Sequence, residues 1–347
     1  MEALRFSFKE KKLELCHLNV PQVTDPNNVL VKVAYSGICG TDLHIIAGEF
    51  PCNQFAEITL GHEFSGTVAE VGHDVISLKE GDKVTVDPNS GCKRCSFCHA
   101  GKPHFCKVGC VVNTLGIYKD GGWANYVLCP EEQVHLLPAG ISLEQAVLTE
   151  PVSCMAHGWD LISPVCVGEK VLILGAGIIG TLWVCILHHQ GHRNVFVSEP
   201  NTVRLELVRK LNTGYVLLTP DQLRKNRDAD PCKYSFDVVI DCSGSPPAIE
   251  QAVTFLNPGG KLCIFGVSPP QSKIQITPFD IYRKEIKIFG VNINPFTFPK
   301  AMGLLGAMGN RYMNFNNLGI KLFPLNQYSD AIDQLKKGSI AKAVFKM

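Results

Sequence analysis

Four β-favouring residues, Val171-Leu172-Ile173-Leu174, lead without interruption into Gly175-Ala176-Gly177-Ile178-Ile179-Gly180, and an apolar helix-like segment then runs to His188-His189. A second apolar run, Val195-Phe196-Val197, follows, and Glu199 stands 19 residues after Gly180. Strand, glycine turn, helix and strand in this order form half of a doubly wound nucleotide fold, which commits the region to α/β architecture with a parallel sheet. Gly175 permits the tight turn, Gly177 lets the backbone approach a pyrophosphate, and Gly180 lets helix and strand pack closely. The unpaired N–H groups around Ile178 and Ile179 then face the anion. A carboxylate at Glu199 accepts bonds from both hydroxyls of an adenosine ribose and repels a 2′-phosphate, which favours NAD over NADP. Arg204 is the counterweight, since it either flanks the adenosine or helps a 2′-phosphate. A membrane span is the competing reading of 171–189, but three glycines in its first ten residues and the terminal histidines do not suit a crossing of roughly 20 apolar residues.

At 347 residues, with 46% hydrophobic content, the chain should hold about two domains. Its 33 Lys+Arg balance 32 Asp+Glu, so the charge points to neither nucleic acid nor a membrane surface as partner. Met1-Glu2-Ala3-Leu4-Arg5 opens directly into strand-like alternation without a secretory or transit pattern, so a cytoplasmic location is expected. Cysteine usage agrees, because the count is odd at fifteen. Cys16, Cys52, Cys110, Cys129, Cys154, Cys166, Cys185, Cys232, Cys242 and Cys263 follow no framework and read mostly as small buried hydrophobes in a reducing compartment.

Residues 1 to 90 carry short strand-like runs at 29–35, 66–72 and 81–86, the pattern of a compact β-rich domain. Between them sit Gly37-Ile38-Cys39-Gly40-Thr41-Asp42-Leu43-His44 and Gly61-His62-Glu63. Thiolate, imidazole and carboxylate together suit a four-coordinate zinc with one open position, although a buried cysteine and a turn histidine would explain two such short motifs equally well. The next motif is more specific. Cys92, Cys95, Cys98 and Cys106 are spaced C-x2-C-x2-C-x7-C in a loop bent at Gly91, Gly101 and Pro103. Four thiolates close a tetrahedral zinc and leave no place for substrate, so this metal is expected to be structural. No Cys-Pro and no second set follows, which argues against an iron–sulfur cluster. Strand-like runs at 121–127 and 134–138 extend the domain, and Leu148-Thr149-Glu150-Pro151 reads as the entry to a linking helix. Glu150 is either a helix-start carboxylate or a group aimed at the catalytic metal.

From 168 onward strands and helices alternate, with further strands at 236–241, 256–267 and 286–291. Their carboxyl ends should gather at the dinucleotide crevice, bringing Ser243, Gly266, Val267, Val291 and Asn292 to the cofactor. Helices are expected at 296–309 and 327–338, and Ala343-Val344-Phe345-Lys346 as a strand returning to the first domain.

In order and content these motifs resemble the zinc-containing medium-chain dehydrogenase/reductase family over essentially the whole chain, and Glu63 with Glu150 is similar to its sorbitol (polyol) and threonine dehydrogenase branch. The resemblance implies a GroES-like catalytic domain from 1–150 plus 290–347, with a Rossmann NAD-binding domain at 151–289 inserted. It implies two zinc ions per subunit. Cys39, His62 and Glu63 would hold the catalytic one, with Glu150 as a neighbouring or exchanging ligand, and the four-cysteine lobe would hold the structural one. The implied reaction oxidises a secondary alcohol of a polyol or sugar-derived small molecule to the ketone, with hydride passing to the nicotinamide. Thr41 would accept the substrate's hydroxyl bond, His44 would end the proton relay at solvent, and Asp42 would orient a ligand. Sorbitol dehydrogenases typically carry Arg-Tyr where Ile293-Asn294 stand, so sorbitol itself fits poorly; Asn292 and Asn294 are candidates to meet the hydroxyls of another polyol. An arabinitol-like sugar alcohol, a sugar acid and L-threonine remain open as substrates, with an NADPH-dependent carbonyl reductase or a non-enzymatic dinucleotide-binding protein as outside alternatives. Homodimers or homotetramers are usual in the family.

Overall fold

The computed structural model describes residues 1–49 and 57–347, and Cys52 lies outside the described residues. Six parallel strands form the nucleotide-type sheet in the order Val216–Leu218, Val195–Ser198, Val171–Leu174, Phe236–Asp241, Leu256–Ile264, Lys287–Gly290. Val171–Leu174 and Val195–Ser198 are buried on both faces, which is why they read as continuous apolar runs rather than as alternation. The chain first steps outward from Val171–Leu174 and then restarts on its other side at Phe236–Asp241. The carboxyl ends of those two neighbours therefore frame a crevice at the reversal point. Val216–Leu218, three half-exposed residues at the edge, gave too short a signal to be read from the sequence.

The β-rich unit has a larger sheet ordered Ile320–Phe323, Lys342–Lys346, Asn28–Gly37, Phe64–Val71, Lys83–Val86, Val134–Leu136, with Tyr126–Pro130 also paired to Asn28–Gly37. A second sheet joins Lys12–His17, Glu2–Ser7 and Glu57–Thr59. The Lys342–Lys346 strand docks antiparallel on Asn28–Gly37, with Val344 opposite Gly37.

The Thr149–Ile162 helix connects the two units. Its Val152 and Met155 share one apolar core with Leu182 and Trp183 of the helix after the glycine loop. Ala301, Met302 and Leu305 of the Phe298–Tyr312 helix join the same core. Residues 290–347 therefore serve both units: Phe298–Tyr312 packs on the helical layer beside the parallel sheet, while Ile320–Phe323 and Lys342–Lys346 complete the β-rich sheet. Among the described residues, no helix is long and apolar enough to cross a membrane.

Candidate active site

The short Gly40–Ile46 helix starts from Cys39, whose N–H donates to Asp42 Oδ2 at 2.8 Å. Asp42 has no exposed surface, and its other oxygen, Oδ1, lies 3.4 Å from His62 Nδ1. At that distance the two atoms face each other without forming a hydrogen bond, and a carboxylate facing one imidazole nitrogen favours the ring orientation that leaves the other nitrogen for a metal. His62 and Glu63 follow Gly61, whose φ of +93° puts it in the left-handed region, and a Cβ there would stand 2.2 Å from Trp123 Cδ1. That close contact sets the loop on the buried indole, which in turn donates through Nε1 to Gly37 O at 2.9 Å. Ligand atoms of Cys39, His62 and Glu63 all lie within 4.8 Å of one another.

Glu63 has a second partner, the buried ammonium of Lys342, which also donates to Ile38 O at 3.2 Å. A Cβ at Gly37 would come within 2.1 Å of Glu63 Oε2, so the absence of a side chain there makes room for the carboxylate. Burial opposes the charge on Lys342, but Glu63 and Cys39 outweigh it and its pKa is raised. Burial likewise opposes protonation of His62, yet Asp42 and Cys39 raise its pKa well above the usual imidazole value. A buried cluster this rich in negative charge is suited to a cation, and a thiolate, an imidazole and a carboxylate converging with one side open fit a catalytic zinc.

Glu150, at the first turn of Thr149–Ile162, stands outside the three-residue cluster but feels the charges of His62 and Glu63. Burial pushes its carboxyl up to about 7. Cys154, one turn on, donates through Sγ to Glu150 Oε1 at 3.4 Å. Thr41 is half-buried on the Gly40–Ile46 helix, and His44 Nδ1 lies 2.6 Å from Glu49 Oε2 at the more exposed end of that helix.

Cys92, Cys95, Cys98 and Cys106 also gather their sulfurs within 4.8 Å of one another. Cys106 Sγ accepts N–H bonds from Gly109 at 3.1 Å and Cys92 at 3.4 Å, and although burial opposes it these bonds hold the thiol down at about 6. None of the four is in a disulfide. Four sulfurs at this spacing, one already favouring the thiolate, fit a closed zinc site.

At the crevice, Gly175 has φ +97°, a Cβ at Gly180 would stand 2.0 Å from Gly175 O, and a Cβ at Gly177 would meet nothing within 4 Å. The turn and the close packing thus need glycine, while the space over Gly177 at the start of Ile178–His189 is open to a ligand. Glu199 is 3% exposed and already takes Ala176 N–H on Oε2 at 2.7 Å and Asn201 N–H on Oε1 at 2.8 Å. Arg204 Nη1 is 4.0 Å from the same carboxylate. On the facing strand ends, Ser243 is bound to Asp241 through both N–H and Oγ, and a Cβ at Gly266 would stand 2.2 Å from Gly244 N. Val267 is exposed, Val291 is half-buried and Asn292 is exposed at that end of the sheet.

Asn294 departs from the expected hydroxyl-binding role. It is 1% exposed and its amide is engaged within the protein, donating to Asp87 Oδ1 at 3.1 Å and accepting from Asn89 Nδ2 at 2.7 Å. It pins the 291–297 segment to the loop before the four-cysteine lobe. Lys342 and Asp87 were not apparent from the sequence, since a lone lysine near a strand and an aspartate before proline carry no motif. No local pattern marks the lysine either, since Lys342, Ala343, Val344 and Phe345 are buried in a row and only Lys346 is exposed.

Residues 25–139 match the alcohol dehydrogenase GroES-like domain family and residues 179–307 match the zinc-binding dehydrogenase family. A D-arabitol-phosphate dehydrogenase of Enterococcus avium is 32% identical, with 94% of this chain and 92% of the relative aligned. An L-threonine 3-dehydrogenase of Caldanaerobacter subterraneus subsp. tengcongensis is 31% identical over 99% of this chain and 98% of its own. Among solved structures, a protein of Sinorhizobium meliloti 1021 described as a zinc-binding dehydrogenase bound to NADP superposes with TM-score 0.90 at 32% identity, covering 100% of this chain and 99% of that one. A GroES-like unit joined to a Rossmann-type parallel sheet, with this level of similarity along nearly its whole length, makes the chain a member of the zinc-containing medium-chain dehydrogenase family and an oxidoreductase of the alcohol and polyol type.

Proposed function

We propose that the protein oxidises a secondary hydroxyl of a polyol or sugar-derived substrate to the ketone with NAD, using one zinc at Cys39, His62 and Glu63 and a second, structural zinc in the four-cysteine lobe. The observation that carries this reading is the converging trio with Asp42 facing His62, near enough to Glu150 on the connecting helix for their charges to act on it. Zinc, when bound there, supplies the Lewis acidity that makes a substrate hydroxyl easier to deprotonate, and the nicotinamide takes up the hydride. The chain's own residues do the rest. Asp42 faces the His62 ring and favours its ligating orientation. Thr41 accepts the hydrogen bond of the substrate's hydroxyl and, as it takes that proton, releases its own, which His44, paired with Glu49 near the surface, carries towards solvent. Glu150 accepts a bond from Cys154 Sγ, and burial raises its carboxyl to about 7, which suits a group that trades protons or ligand contacts. The Gly175–Gly180 loop binds the pyrophosphate on its helix N–H groups.

NAD is favoured by the inward-held Glu199 carboxylate. NADP is the second reading, favoured by Arg204 and by the solved relative bound to NADP. A homodimer or homotetramer goes with this function.

The test is the Cys39→Ser variant. We expect turnover of polyols to vanish and one zinc per chain to be lost, while dinucleotide titration is nearly unchanged, because the loop lies on the other unit. Parallel loss of dinucleotide binding would defeat the proposed division of labour. Steady-state rates with both dinucleotides decide the coenzyme, and a strong NADP preference would overturn NAD.

A further inference from the structure

The order of the parallel sheet sets which part of a dinucleotide lies over which strand. In the proposed function Glu199, after Val195–Ser198, seats the adenosine ribose, and the Gly175–Gly180 loop, after the neighbouring Val171–Leu174, seats the pyrophosphate. Neighbouring strands stand about 4.8 Å apart, so the nicotinamide half of an extended ligand falls over the next two strand ends, those of Phe236–Asp241 and Leu256–Ile264. The first of these ends meets the glycine turn itself, since a Cβ on Gly175 would stand 3.2 Å from both Cys242 C and Ser243 N.

Asp241 is the last residue of its strand and has no exposed surface. Its Oδ1 accepts from Ser243 N–H at 3.0 Å and from Ser243 Oγ at 2.6 Å, and its Oδ2 accepts from Gly244 N–H at 3.2 Å. Its main-chain oxygen accepts from Phe265 N–H at 2.9 Å and from Gly266 N–H at 2.8 Å. One residue thus ties together the loops that leave two different strands. Those loops also meet backbone to backbone. Gly244, at φ +62°, would set a Cβ 2.3 Å from Val267 O, a Cβ on Gly266 would stand 2.2 Å from Gly244 N, and Ser268 Oγ donates to Gly244 O at 2.6 Å. An ionised carboxylate only accepts, so its two oxygens suit the three donors that converge on them, and bonds to a charged acceptor are stronger than neutral ones. A buried acid outside the zinc cluster therefore spends its hydrogen bonds on shaping the floor of the crevice.

We propose that Asp241 is a positioning residue for the nicotinamide half of the dinucleotide. Without touching the ligand, it holds the 243–245 and 265–268 loops in the arrangement that seats that half, while Glu199 and the glycine loop seat the rest. This rests on the dinucleotide-dependent reading of the proposed function and adds to it a residue that contacts neither metal nor substrate.

The experiment titrates the zinc-loaded wild type, Asp241→Ala and Asp241→Asn with NADH by fluorescence and with ADP, which carries only the adenosine and pyrophosphate part, by calorimetry. If the wild type takes NADPH instead, the pair becomes NADPH and 2′-phospho-ADP. For Asp241→Ala the Kd of the reduced dinucleotide should rise about tenfold and that of the ADP probe by less than about twofold. The emission of the bound reduced ring should shift towards that of the free dinucleotide. Asp241→Asn keeps the shape and the acceptor for Ser243 but turns an amide N–H on Gly244, so it should show the same split at about threefold, and it carries the test alone if Asp241→Ala does not fold. Equal weakening of both probes would reduce Asp241 to a support of the whole unit and overturn the inference, as would no weakening of either. Both results leave the dehydrogenase reading standing. A wild type that binds neither NADH nor NADPH defeats that reading, and this inference with it.

Discussion

Lys342 and Glu63 are 1% and 2% exposed, and each is the other's counter-charge in the absence of a metal. Removing one partner of a buried ion pair costs about 3–5 kcal/mol, because the other charge is left uncompensated. Lys342→Met should therefore lose about that much stability in zinc-free protein, and less once zinc supplies positive charge to Glu63. Urea titrations with and without zinc check this, and equal losses would mean that Lys342 acts only through packing. Asp87 gives a pH-dependent prediction. Its folded pKa of about 7 lies above the ordinary 3.8, chiefly through burial, so between those values the folded state keeps a proton that the unfolded chain has released. Its effect on stability therefore becomes unfavourable as pH rises through that window, and the penalty is full above about 7. Asp87→Asn cannot ionise, and should match the wild type at pH 4 but exceed it at pH 8 in guanidinium unfolding. At this scale the sequence was legible where chemistry forces a residue type into a motif, as at Cys39, His62 and the four lobe cysteines. It was silent where a residue acts through one distant neighbour: Lys342 meets Ile38 across 304 positions, and Asn294 meets Asp87 across 207.

Among the elements, the lobe of Cys92–Cys106 is the one with least core of its own. Cys106 and His104 are buried there, while Phe97 and Phe105 are 42% and 44% exposed. Such a segment depends on its metal for order. Cys95→Ser should lower Tm by roughly 5 °C or more, equivalent to at least about 2 kcal/mol, with the remaining folded enzyme still active. Thermal scans beside activity measured at low temperature test it; a variant of unchanged Tm but no activity would mean that the lobe takes part in the reaction. The turn at Gly61 is a different case, since it supports the trio without supplying a ligand. Gly61→Ala would force a Cβ onto Trp123 at a left-handed φ, so zinc affinity and stability should fall together although every ligand is intact. Metal titration on the folded fraction measures the first. The buried parallel strands were readable from their apolar runs, and helices expected at 296–309 and 327–338 appear as Phe298–Tyr312 and Tyr328–Lys336. Helix ends were less readable because packing decides them, as at Gly309, where φ +50° and ψ −159° interrupt the helix.

For the molecule as a whole, the parallel sheet ends on Lys287–Gly290, whose outer side has no neighbouring strand among the described residues. Beside it, Phe279 is 61% exposed and Tyr282 80%. An open sheet edge next to exposed aromatics is a surface that proteins normally cover. We expect sedimentation to give at least twice the 38.0 kDa chain mass, and a monomer at micromolar concentration would count against the proposed oligomer. The two-unit plan was legible because alternation and continuous apolar runs occupy different parts of the sequence. The sharing of residues 290–347 between the units was not, because the contacts of Phe298–Tyr312 with Thr149–Ile162 are tertiary and leave no local pattern. That sharing also sets an order of events during synthesis. The residue that neutralises Glu63 leaves the ribosome some 300 residues after Gly37 and Ile38, against which it docks. A nascent chain carrying Cys39, His62 and Glu63 therefore lacks the ammonium that faces Glu63 in the finished fold until the final sheet strand arrives, so that buried pairing is completed only after the second unit has been translated.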